Sequence, residues 1–175
     1  MRTIITNLLF LILFAGCEKV TYDIYDPDQL VLFQREHINY AWGYQHYGFF
    51  VDTSGIVRSY GLPESWNFAD DNGYITKAEL HENFSKAIQE DCSVEKCEIL
   101  KNYSLLLAAQ SGNLTDPENV AADAGTTSYF GYVYEPSGNR YKQILIRQNG
   151  DFEVRNTSRE AQKIYEWLKQ VCLIY

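Results

Sequence analysis

Apolar and polar residues alternate over several short stretches of the chain, and this period of two is typical of β-strands that bury one face. In the first half of the chain such stretches cover residues 31–34, 40–52 and 56–60. The Thr53-Ser54-Gly55 segment between the last two has the small and polar residues of a turn. The pattern therefore predicts a β-hairpin there.

The second half of the chain repeats the alternation over residues 128–134, 141–148 and 152–156. The first connection, residues 136–139, reads Pro-Ser-Gly-Asn, and the second is Asn149-Gly150, a strong signal for a tight hairpin. The three stretches are therefore predicted to form an antiparallel meander.

Three other stretches have the period of an α-helix. The first helix is predicted to begin at Thr76, because Glu79 three residues later completes a capping box. The second covers residues 93–110 and is expected to be deeply buried. Its broad apolar surface consists of Ile99, Leu100, Tyr103, Leu106 and Leu107. The last begins at Thr157 or Ser158, and its apolar stripe consists of Ala161, Ile164, Tyr165, Leu168, Val171, Cys172 and Tyr175.

Together these elements predict a single α+β domain over residues 30–175, in which an antiparallel sheet of about five strands is covered on one face by about three helices. At 175 residues the chain is long enough for one domain with a buried core. Aromatic residues make up 15% of it, far more than an unstructured chain carries, so we expect most of it to fold.

The N-terminus has the layout of a secretory signal peptide. A short cationic start, Met1-Arg2-Thr3, precedes an apolar core over residues 8–15, which is far shorter than the roughly 20 residues of a membrane-spanning helix. The core ends in Phe14-Ala15-Gly16-Cys17, which resembles the lipobox of bacterial lipoproteins, although that family usually has leucine where Phe14 stands. The resemblance implies that residues 1–16 are removed and that Cys17 becomes the acylated N-terminus.

Several acyl chains on Cys17 would anchor the protein stably to a membrane of the bacterial cell envelope, facing the periplasm or the exterior. Residues 17–29 are polar and contain an Asp26-Pro27 turn signal, so we predict that they form the tether between lipid and domain. The alternative is an ordinary secretory signal, in which Cys17 is only a thiol near the cleavage point.

The mature chain would be acidic, because removal of Arg2 leaves 14 basic and 23 acidic residues, a formal net charge of −9. This charge repels nucleic acid, and no cluster of Lys and Arg compensates for it. It favours a basic protein or a cationic ligand as a partner, although the simpler interpretation is that it keeps the protein soluble.

Three cysteines remain besides Cys17, namely Cys92, Cys97 and Cys172. An odd number permits at most one disulfide among them, and the sequence leaves the pairing open. Export would make such a bond permissible. A redox or nucleophilic thiol is the alternative, but no C-x-x-C motif supports it.

The segment DDNGYITKAE, which ends at Glu79, resembles the second half of an EF-hand calcium loop. The resemblance assigns Ca²⁺ ligation to Asp70, Asn72, the Tyr74 carbonyl and Glu79. Phe68 stands where such a loop has its first carboxylate. The alternative is a polar turn that leads into a capped helix, with Glu79 serving the cap.

Aromatic residues are concentrated just before residue 50. A strand over residues 40–52 would place Tyr40, Trp42, Tyr44 and His46 on one face. That face would offer flat rings to a protein, a peptide or a glycan. The predicted ligand-binding residues are Tyr40, Trp42, Tyr44 and, from the following loop, Trp66. The alternative is cross-strand packing with the tyrosine hydroxyls at the sheet surface.

The chain contains no nucleophile elbow, nucleotide-binding loop or zinc-protease motif, and its three histidines lie at no recognised ligand spacing. Two classes of function remain. One is a non-enzymatic envelope module that binds a partner through the aromatic face. The other is a small carboxylate-based hydrolase that uses Asp70, Asp71 or Glu64 as acid and base. The absence of catalytic motifs favours the binding module.

Overall fold

The computed structural model describes residues 25–26 and 28–172. The predicted signal peptide, Cys17 and most of the predicted tether lie outside the described residues, as does Tyr175. None of the helices in the described part of the chain is long and apolar enough to cross a membrane.

The described chain forms a single α+β domain with nine strands and three α-helices, so the predicted fold class is confirmed while the predicted sheet of about five strands is too small. The strands are β1 (Val31–Asn39), β2 (Gln45–Asp52), β3 (Ile56–Gly61), β4 (Tyr74–Thr76), β5 (Ile88–Ser93), β6 (Glu118–Asn119), β7 (Thr126–Glu135), β8 (Arg140–Gly150) and β9 (Phe152–Arg155). The helices are α1 (Lys77–Ser85), α2 (Lys96–Ala109) and α3 (Arg159–Leu168).

The strands form one sheet in the order β5-β3-β2-β1-β7-β8-β9-β6, with β4 beside β8. All of these pairs are antiparallel. At one end of the central strands Ile38 of β1 lies opposite His46 of β2 on one side and Thr126 of β7 on the other. This register places the three side chains in one row on the same face of the sheet.

Two of the predicted helix starts are confirmed. The Thr76 hydroxyl accepts a hydrogen bond from the Glu79 N–H, while the Glu79 carboxylate accepts one from the Thr76 N–H, which completes the capping box of α1. The Ser158 hydroxyl accepts from the Ala161 N–H at the start of α3. In contrast, α2 begins at Lys96, since the residues before it pair with β3 as strand β5.

The sheet is buried on both faces, so the prediction that helices cover one face is wrong. A first core packs α2 and α3 against residues such as Phe33, Val51 and Ile146. A second core packs α1 and the loop that precedes it against Phe50, Tyr132 and Tyr141. Leu107 of α2 is 40% exposed, in contrast to the deep burial predicted for it. The other four residues of the predicted surface, Ile99, Leu100, Tyr103 and Leu106, are buried.

Contacts from both ends of the described chain hold the domain together. Gln29, from the segment predicted to be the tether, is buried, and its Nε2 donates to the Tyr132 carbonyl at 2.7 Å while its Oε1 accepts from the Tyr103 hydroxyl at 2.8 Å. Cys92 of β5 and Cys172 form a disulfide with a Cα–Cα distance of 6.0 Å, which leaves Cys97 as an exposed free thiol.

Candidate ligand-binding site

The connection between β1 and β2 carries three exposed aromatic side chains. Tyr40, Trp42 and Tyr44 are 71%, 75% and 46% exposed, and the rings of Tyr40 and Tyr44 stack with their centroids 5.3 Å apart. Gly43 has φ +95°, a conformation that glycine adopts easily, and it helps to reverse the chain. The predicted strand over residues 40–52 is therefore wrong for residues 40–44, which we call the aromatic turn.

Trp66 and Phe68, from the loop between β3 and β4, cover the sheet beside the aromatic turn. The Trp66 ring lies 4.4 Å from the Tyr60 ring and 4.8 Å from the His46 ring, centroid to centroid, so it is a partly buried packing residue. Phe68 is 56% exposed and stacks on His46 at 6.1 Å. Of the four predicted ligand-binding residues, the structure thus brings Tyr40, Trp42 and Tyr44 together in the aromatic turn and packs Trp66 against Tyr60 and His46.

A cleft of about 390 Å³ opens beside the aromatic turn. Ile38, Tyr40 and Phe68 line it with apolar surface, while Thr126 and Asp151 contribute polar groups. None of the eight residues that line it in the described chain is basic. Its volume lies within the range of about 300–1,000 Å³ that is usual for small-ligand sites.

Two side chains fix the walls of the cleft. The amide of Asn39 accepts from the Ala41 N–H at 2.8 Å and donates to the Asp123 carbonyl at 3.1 Å. Asp151 accepts from the Ala124 N–H through Oδ1 at 2.8 Å. These bonds join the aromatic turn and the connection between β8 and β9 to the loop before β7, and so they fix the position of the cleft walls.

A buried chain of hydrogen bonds begins at the aromatic turn and runs into the domain. The Tyr44 hydroxyl lies 2.9 Å from His46 Nδ1, and His46 Nε2 lies 2.9 Å from Glu36 Oε1. His46 is fully buried and Glu36 is 7% exposed, so the pair is shielded from water. Burial raises the pKa of Tyr44 above its usual value, and Tyr40 and Glu36 raise it further, so this hydroxyl stays protonated at neutral pH.

The series of buried hydrogen bonds continues from Glu36 across the sheet. Gln34 donates through Nε2 to Glu36 Oε1 at 3.3 Å and to the Tyr60 hydroxyl at 2.7 Å, and its Oε1 accepts from the Tyr132 hydroxyl. Tyr132 in turn accepts from Gln143 Nε2 at 2.8 Å, and burial raises the pKa of the Tyr132 hydroxyl. The donors of Gln34 thus point toward the Glu36 carboxylate.

The directions of these hydrogen bonds determine which nitrogen of a neutral His46 ring carries the proton. An ionised Glu36 accepts hydrogen bonds only, so the proton of a neutral His46 ring belongs on Nε2. Nδ1 is then an acceptor, and the Tyr44 hydroxyl donates to it. As a result the lone pairs of the Tyr44 oxygen remain available to accept a hydrogen bond.

The two carboxylates among the predicted calcium ligands accept hydrogen bonds from nearby backbone N–H groups. Asp70 Oδ1 accepts from the N–H groups of Asn72 and Tyr74 at 2.9 and 2.8 Å, while the Glu79 carboxylate belongs to the α1 capping box. The Lys142 ammonium donates to the Asn72 carbonyl. No group of three or more His, Cys, Asp and Glu side chains in the described residues is arranged to hold a metal. Calcium binding stays a prediction, and the structure gives both carboxylates roles in the backbone conformation.

The residues proposed for carboxylate catalysis lie outside the cleft. Glu64, Asp70 and Asp71 are exposed, and none of them lines it. Among the described residues, Asp151 is the one carboxylate that lines it. Asp151 and the buried Glu36 were not predicted as site residues. Gln34 and Glu36 lie two positions apart in β1 and therefore on one face of it, and this pattern could have indicated buried polar side chains there.

No protein-family model matches the chain, and no significant match was found among curated proteins or among solved structures. The assignment of a function therefore depends on the geometry of the aromatic turn, the cleft and the buried hydrogen bonds beneath them.

Proposed function

We propose that this protein is a lipid-anchored recognition module of a bacterial cell envelope, which binds a protein, a peptide or a glycan without catalysing a reaction. The observation that carries the proposal is the aromatic turn beside a fixed cleft. Large exposed rings beside a concave site are typical of binding surfaces, because a partner that covers them removes their apolar area from water.

Two features support the location. The Phe14-Ala15-Gly16-Cys17 segment resembles a lipobox, and a disulfide between Cys92 and Cys172 is typical of oxidising compartments such as the periplasm. A domain anchored at its N-terminus would present the aromatic turn to other molecules of the envelope.

Mass spectrometry of the mature N-terminus tests the anchor. We expect a chain that begins at Cys17 and carries acyl groups, and we expect the Cys17→Ser variant to be released from membranes. A wild-type chain with an unmodified Cys17 thiol, or one cleaved elsewhere, would contradict lipid anchoring.

Crosslinking in the native envelope tests recognition by the aromatic turn. The full-length protein, its Trp42→Ala variant and a control Ile88→Ala variant would each be purified after mild crosslinking. Ile88 is 76% exposed, much like Trp42, and lies on the edge strand β5, outside the cleft. We expect one stoichiometric partner that is lost from Trp42→Ala and kept by Ile88→Ala, with melting temperatures unchanged. Identical capture by all three proteins, or unfolding of Trp42→Ala, would contradict the proposal.

A further inference from the structure

The cleft beside the aromatic turn is acidic and rich in acceptors. Asp151 uses Oδ1 to accept from the Ala124 N–H, and Oδ2 takes no part in that bond. The Asn39 amide is engaged on both sides, with the Ala41 N–H and the Asp123 carbonyl. The cleft therefore presents a carboxylate, and the Asn39 amide already uses its oxygen and one of its two N–H groups in bonds within the protein.

The charges around the cleft have the same sign. Glu36 lies on the same face of β1 as Ile38, which lines the cleft. Arg35 lies on the opposite face of β1, because side chains alternate along a strand. The Arg147 guanidinium lies over the Tyr165 ring and therefore on the sheet face that packs against α3. In a chain with a formal net charge of −8, this arrangement attracts cations to the cleft.

The aromatic walls add a second attraction. Tyr40 and Phe68 both line the cleft, and their rings stack on Tyr44 and His46 respectively, which holds them in place. The faces of such rings attract a cation.

From these contacts we infer that the cleft binds the ammonium or guanidinium group of a Lys or Arg side chain in a basic peptide segment of the partner. This inference rests on the proposed recognition function and names the chemistry that the site recognises. The cation lies against Tyr40 and Phe68 and donates a hydrogen bond to the Asp151 carboxylate, and all three residues line the cleft. A quaternary ammonium group lacks an N–H and loses that hydrogen bond.

Calorimetry with defined probes tests the inference on the full-length protein in non-ionic detergent. The probes are terminally blocked tetralysine, the same peptide with every lysine acetylated, and a neutral tetrasaccharide of N-acetylglucosamine. Asp151→Asn removes the charge but keeps an acceptor for the Ala124 N–H. Asp91→Asn, at an exposed position of β5, is the matched control for net charge.

We expect tetralysine to bind with one-to-one stoichiometry and more tightly than the other two probes. Its affinity should fall by about tenfold or more in Asp151→Asn and remain nearly unchanged in Asp91→Asn, because only the first substitution removes the charge that pairs with the ammonium group. Equal effects of the two substitutions would overturn the inference, as would acetylated peptide or tetrasaccharide that binds as tightly as tetralysine. Failure of all three probes, with Trp42-dependent capture retained, would overturn only the choice of ligand. Loss of that capture would overturn the recognition function itself.

Discussion

At the scale of single residues, two buried polar side chains control what the aromatic turn presents to a ligand. Glu36 holds the His46 ring by one nitrogen, and Tyr44 contacts the other. Removing one member of a buried hydrogen-bonded pair leaves its partner unsatisfied, so these groups also contribute to stability. The Tyr44 hydroxyl is thereby fixed as an acceptor at the surface.

The tautomer of the neutral His46 ring is directly measurable. We expect nitrogen-15 NMR of the neutral ring to show a proton on Nε2 and a bare Nδ1 that accepts from Tyr44. Tyr44→Phe should shift the Nδ1 resonance, because it removes that donor, while Tyr40→Phe should leave the resonance nearly unchanged. A proton on Nδ1 in the wild-type protein would contradict the hydrogen-bond direction described above.

Two other histidines make stability depend on pH. Burial lowers the pKa of His37, and the Arg35 guanidinium lowers it further. Burial also lowers the pKa of His81, and the Lys77 ammonium lowers it further, against an opposing effect of Asp28. Both rings therefore bind a proton less tightly in the folded chain than in the unfolded chain, in which the pKa is about 6.5.

The free energy of unfolding therefore falls as the pH falls through about 6.5, because the histidines of the unfolded chain take up protons first. Urea unfolding between about pH 7.5 and 5.5 should show a falling free energy of unfolding. The double variant His37→Asn, His81→Asn should show a shallower fall. An unchanged slope in that variant would assign the pH dependence to other groups.

Local features of the sequence predicted the residue-scale structure that depends on near neighbours. Thr76 and Glu79 are three residues apart, so their capping box was visible in the sequence. The contact between Glu36 and His46 depends instead on the register of β1 against β2, and the reversal at Gly43 that sets this register was hidden inside a predicted strand. For this reason the candidate site was predicted only in part.

At the scale of elements, close packing of α2 on β7 depends on a glycine. Gly131 is buried, and a Cβ atom added there would overlap the Leu106 side chain. The strands that the sequence did not predict have a common cause. β4 and β6 have three and two residues, and β5 has the polar sequence IQEDCS, so none of them shows a clear alternation. They form because partner strands offer them hydrogen bonds.

Gly131→Ala tests the packing of α2 on the sheet. We expect it to lower the free energy of unfolding by about 1–3 kcal/mol through overpacking. Gly61→Ala is the control, because a Cβ there meets no atom within 4 Å, and it should change stability by no more than about 0.5 kcal/mol. Gly131→Ala combined with Leu106→Ala should lower the free energy of unfolding by less than the sum of the two single changes. Equal stability of the two glycine variants would contradict this packing.

At the scale of the whole molecule, the domain buries both faces of one sheet. A disulfide joins Cys172, after α3, to Cys92 of edge strand β5. The alternation of residues predicted an α+β domain but could not show that Trp66 and α1 cover the second face, since that face also carries polar groups such as Gln34 and Glu36. The pairing of Cys92 with Cys172 was equally open, because their separation of 80 residues is closed only by the fold.

Removal of this disulfide should destabilise the whole domain. We expect Cys92→Ser with Cys172→Ser to lower the free energy of unfolding by about 2–4 kcal/mol, since the bond restricts the unfolded chain. Cys97→Ser should leave the melting temperature unchanged, because that thiol is free and exposed. If mass spectrometry shows that a reductant has broken the bond and the melting temperature does not fall, the disulfide has no role in stability.

The central claim is that the aromatic turn is the surface that contacts the partner. A photoreactive benzophenone amino acid in place of Trp42 tests it in living cells, with the same amino acid in place of Ile88 on edge strand β5 as the control. The account predicts that irradiation joins position 42, and not position 88, to one defined envelope protein. Crosslinking only to lipid at position 42, or the same products from both positions, would contradict it.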